Sequence, residues 1–405
     1  MLVNADLHIH SRFSSATSVH MELKRLAAES SKKGIHLLAT GDCLHPQWQQ
    51  EILHVATANQ GLWWLDNTAF VLTAEVEDQH RVHHLLLFPS LTAVQEFHQA
   101  MKKYSSTLDT DGRPKIQCTG AEIAESAHDV EALIGPAHAF TPWTALYAYY
   151  NSLHECYEGA TVDFLELGLS ADSNYADRIA ELHNLTFLSN SDSHSPNPIR
   201  LAREFNRLEI SAITWDDLRK ALLRRGGQGI VANVGLPPAE GKYNQTACTS
   251  CYRQYAFDAA CDNNWRCGCG GLIKKGVRDR VAELADIPEG HHPAHRPPYF
   301  HVIPLAEIIG KALKIGPTSK TVERQWANLM KRFDSEIEVL LDIPVEEVAV
   351  TASPAVAESV AAFRRGDVIV HPGGGGKYGE IEILAKENPV FLPKDPQRRL
   401  VEWAT

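Results

Sequence analysis

The chain has no uninterrupted apolar run approaching the ~18 residues that a membrane-spanning helix needs, so the sequence excludes that class of membrane protein. Its opening, Met1-Leu-Val-Asn-Ala-Asp-Leu-His-Ile-His, lacks the basic flank and apolar stretch of a secretion signal, and the expected location is cytoplasmic. Positive charge is the scarcer sign, 39 Lys and Arg against 50 Asp and Glu for a formal net charge of −11. That balance excludes a protein that coats nucleic acid by charge alone. Internal repeats and low-complexity tracts are absent, and so is a Ser-His-Asp nucleophile elbow. The glycine-rich run Gly373 to Gly379 is not a P-loop, because Lys377 is followed by Tyr378 where a P-loop needs Ser or Thr.

What is present divides by region. The 405 residues exceed what one hydrophobic core usually organises. Residues 1–235 hold 18 basic against 28 acidic side chains, residues 236–332 hold 14 against 9, and residues 333–405 hold 7 against 13, so the middle segment is the basic one. From Val3 to about Ile210, short apolar runs alternate with amphipathic stretches, the pattern of a parallel β/α architecture. Ile35–Thr40, Ala69–Ala74, Leu133–Ala137, Asp163–Leu167 and Leu185–Ser189 read as strands. Met21–Lys33, closed by Gly34, and Asp216–Arg225 read as helices. The order predicts an α/β fold closed as a barrel, whose strands carry the active site at their C-terminal ends. The paired prolines after Gly235 predict a boundary. The expected domains are a barrel over 1–235, a small Cys-rich domain over 236–300 and a mixed helical domain over 301–405. In the last, Leu305–Leu313 and Ser319–Phe333 flank Gly316-Pro317, which reads as a helix-turn-helix or as an ordinary helical pair, and Asp367–Val370 reads as a strand.

The chemistry begins at Asp6-Leu-His8-Ile-His10-Ser. On a strand, residues i and i+2 face one side, so His8 and His10 would offer two imidazoles to one metal. Asp42 and Glu75 lie at the ends of the next two runs, His83-His84 precede an apolar run, His138 follows another, and Asp192-Ser-His194 repeats the same-face spacing. Each could be a polar residue satisfied within a core. As a series they predict metal ligands His8, His10, Asp42, Glu75, one of His83 and His84, His138, Asp192 and His194, with Asp42, Glu75, Asp192 and His194 as the catalytic set and Glu166 as a further candidate. Mixed imidazole and carboxylate donors suit zinc, manganese or iron. So many donors imply more than one divalent ion (Zn, Mn or Mg), and paired ions suit phosphoester hydrolysis by an activated water. Cys43, beside Asp42, reads as a buried structural thiol.

Cys248-x2-Cys251 and Cys267-x-Cys269 predict a four-cysteine structural zinc, with Cys261 a competing ligand and a disulfide framework the alternative. Lys274, Lys275, Arg278 and Arg280 follow directly. They form either a phosphate-facing cationic surface or a solvated charged loop. The Gly373–Gly379 loop is a flexible turn or a site of close approach to phosphate or an extruded nucleotide, with Lys377 supplying charge and Tyr378 a stacking face.

The series His8-x-His10, Asp42, Glu75, His84, His138 and Asp192-x-His194 resembles the PHP (polymerase and histidinol phosphatase) superfamily over roughly residues 3 to 225. The resemblance implies a distorted seven-stranded β/α barrel holding two or three metals. Where that superfamily usually has Thr-Asp-His, this chain has Thr40-Gly41-Asp42, so Asp42 would replace an imidazole by a carboxylate. A closer resemblance, to the endonuclease Q family, runs over nearly the whole chain. It rests on Asp6-Leu-His-Ile-His-Ser-Arg-Phe-Ser, Thr40-Gly-Asp-Cys-Leu-His-Pro-Gln-Trp, Leu236-Pro-Pro-Ala-Glu-Gly-Lys-Tyr-Asn, Cys267-Gly-Cys-Gly-Gly-Leu-Ile-Lys-Lys-Gly-Val and His371-Pro-Gly-Gly-Gly-Gly-Lys-Tyr-Gly. It implies a DNA repair nuclease that nicks 5′ to a deaminated base (uracil, hypoxanthine or xanthine) and at abasic sites, with damaged DNA as partner; the basic segment and the glycine-rich loop then offer Lys274, Lys275, Arg278, Lys377 and Tyr378 as DNA-contact candidates. The residues alone leave two alternatives open: a small-molecule phosphatase on the same barrel, and a DNA-binding protein with an inactive barrel.

Overall fold

A computed structural model describes residues 1–386; the remainder of the expected C-terminal domain, 387–405, lies outside the described residues. The strands Leu37–Ala39 and Thr68–Glu77 are buried at every position, because helices and loops cover both faces of the sheet they belong to. That sheet is mixed. Among the described residues it runs Tyr299–His301, Gly229–Gly235, Phe205–Glu209, Leu2–Asp6, Leu37–Ala39, Thr68–Glu77, Leu62–Leu65, Thr57–Asn59. Leu2–Asp6, Leu37–Ala39 and Thr68–Glu77 are parallel, while Phe205–Glu209 is antiparallel to the first of them. The distal half of Thr68–Glu77 pairs with His83–Phe88, which in turn pairs with Leu133–Pro136, both antiparallel.

Phe164–Glu166 and Thr186–Leu188 form a separate parallel pair. It is tied to its neighbours by Asp163 N donating to Ile134 O (2.8 Å), Ala139 N donating to Glu166 O (2.8 Å) and a parallel bridge between Ile9 and Ser193. The consequence for function is directional. The C-terminal ends of Leu2–Asp6, Leu37–Ala39, Thr68–Glu77, Leu133–Pro136, Phe164–Glu166 and Thr186–Leu188 meet at one pole, joined by the N-terminal end of antiparallel His83–Phe88. The helix expected before Gly34 is Leu23–Lys33, and Gly34 closes it at φ 87°, a left-handed conformation that glycine adopts without a Cβ penalty.

Beyond the barrel-like part, the chain forms the hairpin Ala247–Cys248 with Ile273–Lys274, then returns to the main sheet as Tyr299–His301, parallel to Gly229–Gly235. The expected helical pair appears as Leu305–Leu313 and Lys320–Arg332, the second capped by Ser319 Oγ accepting from Val322 N. Glu336–Leu341, Val345–Thr351, Pro354–Arg365 and the hairpin Val368–His371 with Glu380–Ile383 complete the described part. No helix among the described residues is long and apolar enough to cross a membrane.

One buried carboxylate fastens the helical part to the sheet domain. Glu336, 2% exposed, takes Lys33 Nζ at 2.6 Å and Leu305 N at 3.1 Å on Oε1, and Trp326 Nε1 at 2.6 Å on Oε2. Lys33 also donates to Pro198 O at 2.7 Å, so helix Leu23–Lys33 and the C-terminal helices share one ion pair. Glu336→Ala leaves a buried ammonium without its counter-charge and is expected to cost about 3–5 kcal/mol in urea denaturation. A loss below about 1 kcal/mol would contradict the fastening role.

Candidate active site

The backbone builds the site before any side chain does. Past Asp6 the first strand stays extended through Ile9, which bridges to Ser193, so His8 and His10 project to the same side and Ile9 to the other. Gly41, at φ 61°, lies where a Cβ would collide with Ile9 O, which lets the loop holding Asp42 close against the His-x-His backbone. Three residues at strand ends adopt positive φ without being glycine: Asp42 (48°), His138 (31°) and Asp192 (46°). Each costs about 1–3 kcal/mol, strain that persists because the surrounding contacts fix the backbone.

Glu75 sits at the centre, its side chain 0% exposed. Its Oε1 lies 2.8 Å from both His83 Nδ1 and His138 Nε2, and its Oε2 lies 3.3 Å from His10 Nε2 and 3.2 Å from Arg113 Nη1. His10 Nε2 is also 3.3 Å from Asp192 Oδ1, and His8 Nε2 is 3.8 Å from that oxygen. Three overlapping donor groups result: His8, His10 and Glu75; Glu75, His83 and His138; His10, Asp192 and His194. Glu75 belongs to two of them, as a carboxylate shared between two cations would.

The charges fit that use. Burial alone disfavours a charged imidazole at His8, yet Glu166, Glu75 and Asp192 raise its pKa to about 9, and His10 is held well above its ordinary value by Asp192, Asp42 and Glu75. Burial works equally against a charged Glu75, but His83, His10 and His138 hold its carboxyl well below the usual range. All three shifts express one demand for positive charge between the acids. His8 Nε2, His10 Nε2 and Asp192 Oδ1 are buried and have no hydrogen-bond partner among the described residues. Unpartnered imidazole nitrogens and a carboxylate oxygen converging on a common space are the donor chemistry of a divalent-cation site.

Behind the donors stands a second set. Glu166 receives His8 Nδ1 at 3.0 and 2.9 Å on its two oxygens, and Asp42 Oδ1 receives His10 Nδ1 at 3.1 Å. Both pairings turn Nε2 toward the centre, the carboxylate–histidine arrangement that orients a metal ligand. Asp42 Oδ2 is already engaged by Ser11 N (2.7 Å), Ser11 Oγ (2.6 Å) and Ser14 Oγ (2.9 Å). The expectation for Asp42 as a direct ligand is therefore corrected: its oxygens are occupied on the outer side of His10.

His84 is corrected as well. It is buried on the opposite face, against Tyr157 Oη (2.8 Å) and Asp78 Oδ2 (3.2 Å), and His83 takes the place expected of it. The hairpin register decides between the two: opposite residues of an antiparallel pair share a face, and Glu75 pairs with Leu85 while Glu77 pairs with His83. Arg113, Ser11, Ser14 and Asn190 also belong to the site, and no sequence pattern singled them out. Cys43 is fully buried, and burial and Asp42 push its thiol well above its ordinary pKa, as befits an inert thiol.

The second cluster lies outside the barrel mouth. The sulfurs of Cys248, Cys251, Cys267 and Cys269 all lie within 4.8 Å of one another, with Cys248–Cys269 and Cys251–Cys267 at 3.5 Å. A disulfide would need about 2.05 Å, whereas a zinc ion at ~2.3 Å from each sulfur places them about 3.8 Å apart. All described cysteines are free, and Cys261, exposed on helix Phe257–Asp262, is not part of the group. The core here is only Cys248, Ala260, Cys267 and Ile273 with Tyr255 and Trp265 against it, too small to fold unaided.

The basic residues that follow have different surroundings. Lys274 Nζ lies 3.8 Å from the centre of the Trp143 ring and Lys275 pairs with Glu283 at 2.6 Å. Arg278 is half exposed, while Arg280 donates to Tyr147 O and Tyr150 O (2.9 Å each) and so fastens this domain to the barrel loops. The glycine-rich loop packs on the cysteine cluster, since a Cβ on Gly375 would collide with Cys248 O. Lys377 is exposed and Tyr378 lies beneath Arg200, 5.5 Å from guanidinium to ring.

Comparison with known proteins bears on the whole chain. Residues 304–367 match the MJ0043 C-terminal domain family. The chain is 45% identical over 252 residues to the uncharacterized protein MJ0043 of Methanocaldococcus jannaschii, a match covering 61% of this chain and 31% of that longer relative, about a third of its length. Among solved structures it is similar to the lesion-specific endonuclease PfuEndoQ from Pyrococcus furiosus: 49% identity, 95% of this chain and 96% of that one covered, TM-score 0.89. It is likewise similar to an endonuclease Q complex with a 27-mer duplex substrate carrying an abasic lesion at the active site: 49% identity, 95% and 97% covered, TM-score 0.91.

Asp42→Asn keeps the size of the side chain while weakening its hold on His10 Nδ1. It is expected to lower manganese affinity at the barrel about 10–100-fold in calorimetric titration; unchanged affinity would show that Asp42 does not orient His10.

Proposed function

Since the chain belongs to the endonuclease Q family, we propose that it is a DNA repair endonuclease that hydrolyses the phosphodiester 5′ to deaminated bases and at abasic sites. The observation that carries this reading is the buried Glu75 shared by two histidine-rich donor groups at the mouth of a fold similar, over 95% of the chain, to a lesion-specific endonuclease. Divalent ions bound there supply Lewis acidity and an activated water for in-line displacement at phosphorus.

The ligands on this reading are His8, His10, Glu75, His83, His138, Asp192 and His194, holding two or three ions (Zn, Mn or Mg). His8 and His10 are the deep members and are locked by Glu166 and Asp42. The side chains of Asp192 and His194, each 30% exposed, form the rim that a phosphate reaches first. Arg113, 29% exposed beside Glu75, is placed to hold a non-bridging phosphate oxygen and to keep Glu75 ionised. The sheet and its separate strand pair act together as the distorted seven-stranded barrel, closed through the Ile9–Ser193 bridge. Cys248, Cys251, Cys267 and Cys269 hold a structural zinc that folds the middle domain. Arg278 and Lys377, both exposed, and Lys274, Lys275 and Tyr378 around them supply the cationic and stacking surface for damaged DNA. Taking a damaged base out of the stack costs least where pairing is already weak, which favours lesions. The enzyme acts in the cytoplasm.

The test offers purified protein with Mg, Mn or Zn a uracil- or hypoxanthine-containing duplex, an abasic duplex, an undamaged duplex and a phosphate monoester. Lesion-dependent nicking is expected. Turnover of the monoester alone would replace this reading by a phosphatase, and binding without cleavage by an inactive DNA-binding protein. Asp192→Ala should lower nicking by more than about 100-fold while duplex affinity stays within a fewfold.

A further inference from the structure

The strand Thr186–Leu188 is paired along one edge by Phe164–Glu166. Its other edge, and the residues that continue it, are met by asparagine side chains. Asn233 Nδ2 donates to Phe187 O and to Asn206 Oδ1, both at 3.0 Å. Asn206 Nδ2 reaches Ser189 O (2.9 Å), Ala5 O (3.3 Å) and Asn190 Oδ1 (2.9 Å). Asn190 Nδ2 donates to Glu166 Oε1 at 2.8 Å, and Glu166 holds His8 Nδ1. The three asparagines are 1% exposed or less.

The orientation of each amide is fixed by main-chain groups of known polarity. Asn190 Oδ1 accepts from Leu7 N and Asn206 Oδ1 from Ser189 N, both at 2.9 Å, and a backbone N–H only donates. Asn233 Nδ2 faces the Phe187 carbonyl, which only accepts. The three amides therefore run head to tail from Asn233, the oxygens of Asn206 and Asn190 each receiving an N–H from the amide before it, and the last N–H ends on Glu166; Asn233 Oδ1, at the head, has no partner among the described residues. Such a chain polarises along its length and strengthens its terminal bond.

We propose that Asn233, Asn206 and Asn190 are positioning residues for the metal centre: through Glu166 they keep the His8 ring proton on Nδ1 and its Nε2 lone pair aimed between Glu75 and Asp192. The proposal rests on the reading of His8 as a metal ligand. Asn233 and Asn206 serve the main chain along the Thr186–Leu188 edge, and Asn190 serves it through Oδ1, which accepts from Leu7 N. The Nδ2 of Asn190 adds nothing to that edge and is directed at Glu166, which the edge does not touch. Glu166 in turn also receives His138 N at 2.8 Å, so one carboxylate carries the ladder to two histidines of the site.

Asn190→Asp is the direct test. It preserves size and the oxygen that accepts from Leu7 N and Asn206 Nδ2, and replaces the donor facing Glu166 by a carboxylate oxygen that repels it. The wild type and variant are dialysed against graded Mn2+, and bound metal is measured by mass spectrometry alongside nicking kinetics. The manganese concentration for half-occupancy of the barrel should rise at least tenfold and kcat should fall at least tenfold, with KM for the lesion duplex within about twofold and metal at the cysteine cluster retained as an internal reference. Loss of the cysteine-cluster metal as well would mark misfolding, and Asn233→Ala then decides the question: it leaves every contact of Asn190 and Glu166 in place and should raise the half-occupancy concentration about threefold. Folded variants that match the wild type in barrel metal and kcat overturn the proposal. A wild type that binds no metal at the barrel overturns the metal-centre reading itself, and the proposal with it.

Discussion

A carboxylate that solvent does not reach must be answered by positive charge or by hydrogen-bond donors, and Glu75 is answered by both. Three histidines and Arg113 converge on its two oxygens at 2.8 to 3.3 Å. Each of these groups arrives from a different segment: the end of the first strand, the start of His83–Phe88, the turn after Leu133–Pro136 and the loop holding Arg113. The pole of the sheet can be assembled in one way only if all four are brought to the same carboxylate. The strained backbone at Asp42, His138 and Asp192 is the conformational cost of that convergence.

Around this centre the structure is layered by polarity. Donor nitrogens face inward, acids behind them fix the ring protons, and serines and asparagines fix the acids. The apolar core begins outside that shell, with side chains such as Leu38, Phe70, Leu72 and Ile134 fully buried. The C-terminal helices share one continuous apolar core with the sheet, and polar fastenings are added to it. Arg280 ties the cysteine domain to the barrel loops, and Glu336 ties the helical part to the first helix.

Much of this was legible in the sequence because strand periodicity is simple. His8-x-His10 places two side chains on one face, and the pair Asp192-x-His194 reaches the site by another route, beyond the end of Thr186–Leu188 with Asp192 at positive φ. The strands and the first helix begin and end within a few residues of where apolar runs and Gly34 put them. What the sequence hid was parity and depth. Choosing between His83 and His84 required the hairpin register, and telling a donor from the acid behind it required knowing that Ser11 and Ser14 already occupy Asp42. Arg113 and the three asparagines were hidden for another reason: they come from loops and strands with no spacing rule, and only the closed fold brings them to the site.

The proposed nuclease chemistry depends on where cations sit. Anomalous diffraction from crystals of the holoenzyme grown with manganese should show peaks on both sides of the Glu75 carboxylate, one reached by His8 and His10 and the other by His83 and His138. Strong peaks at the cysteine cluster with none around Glu75, in crystals that nick lesion DNA, would contradict it.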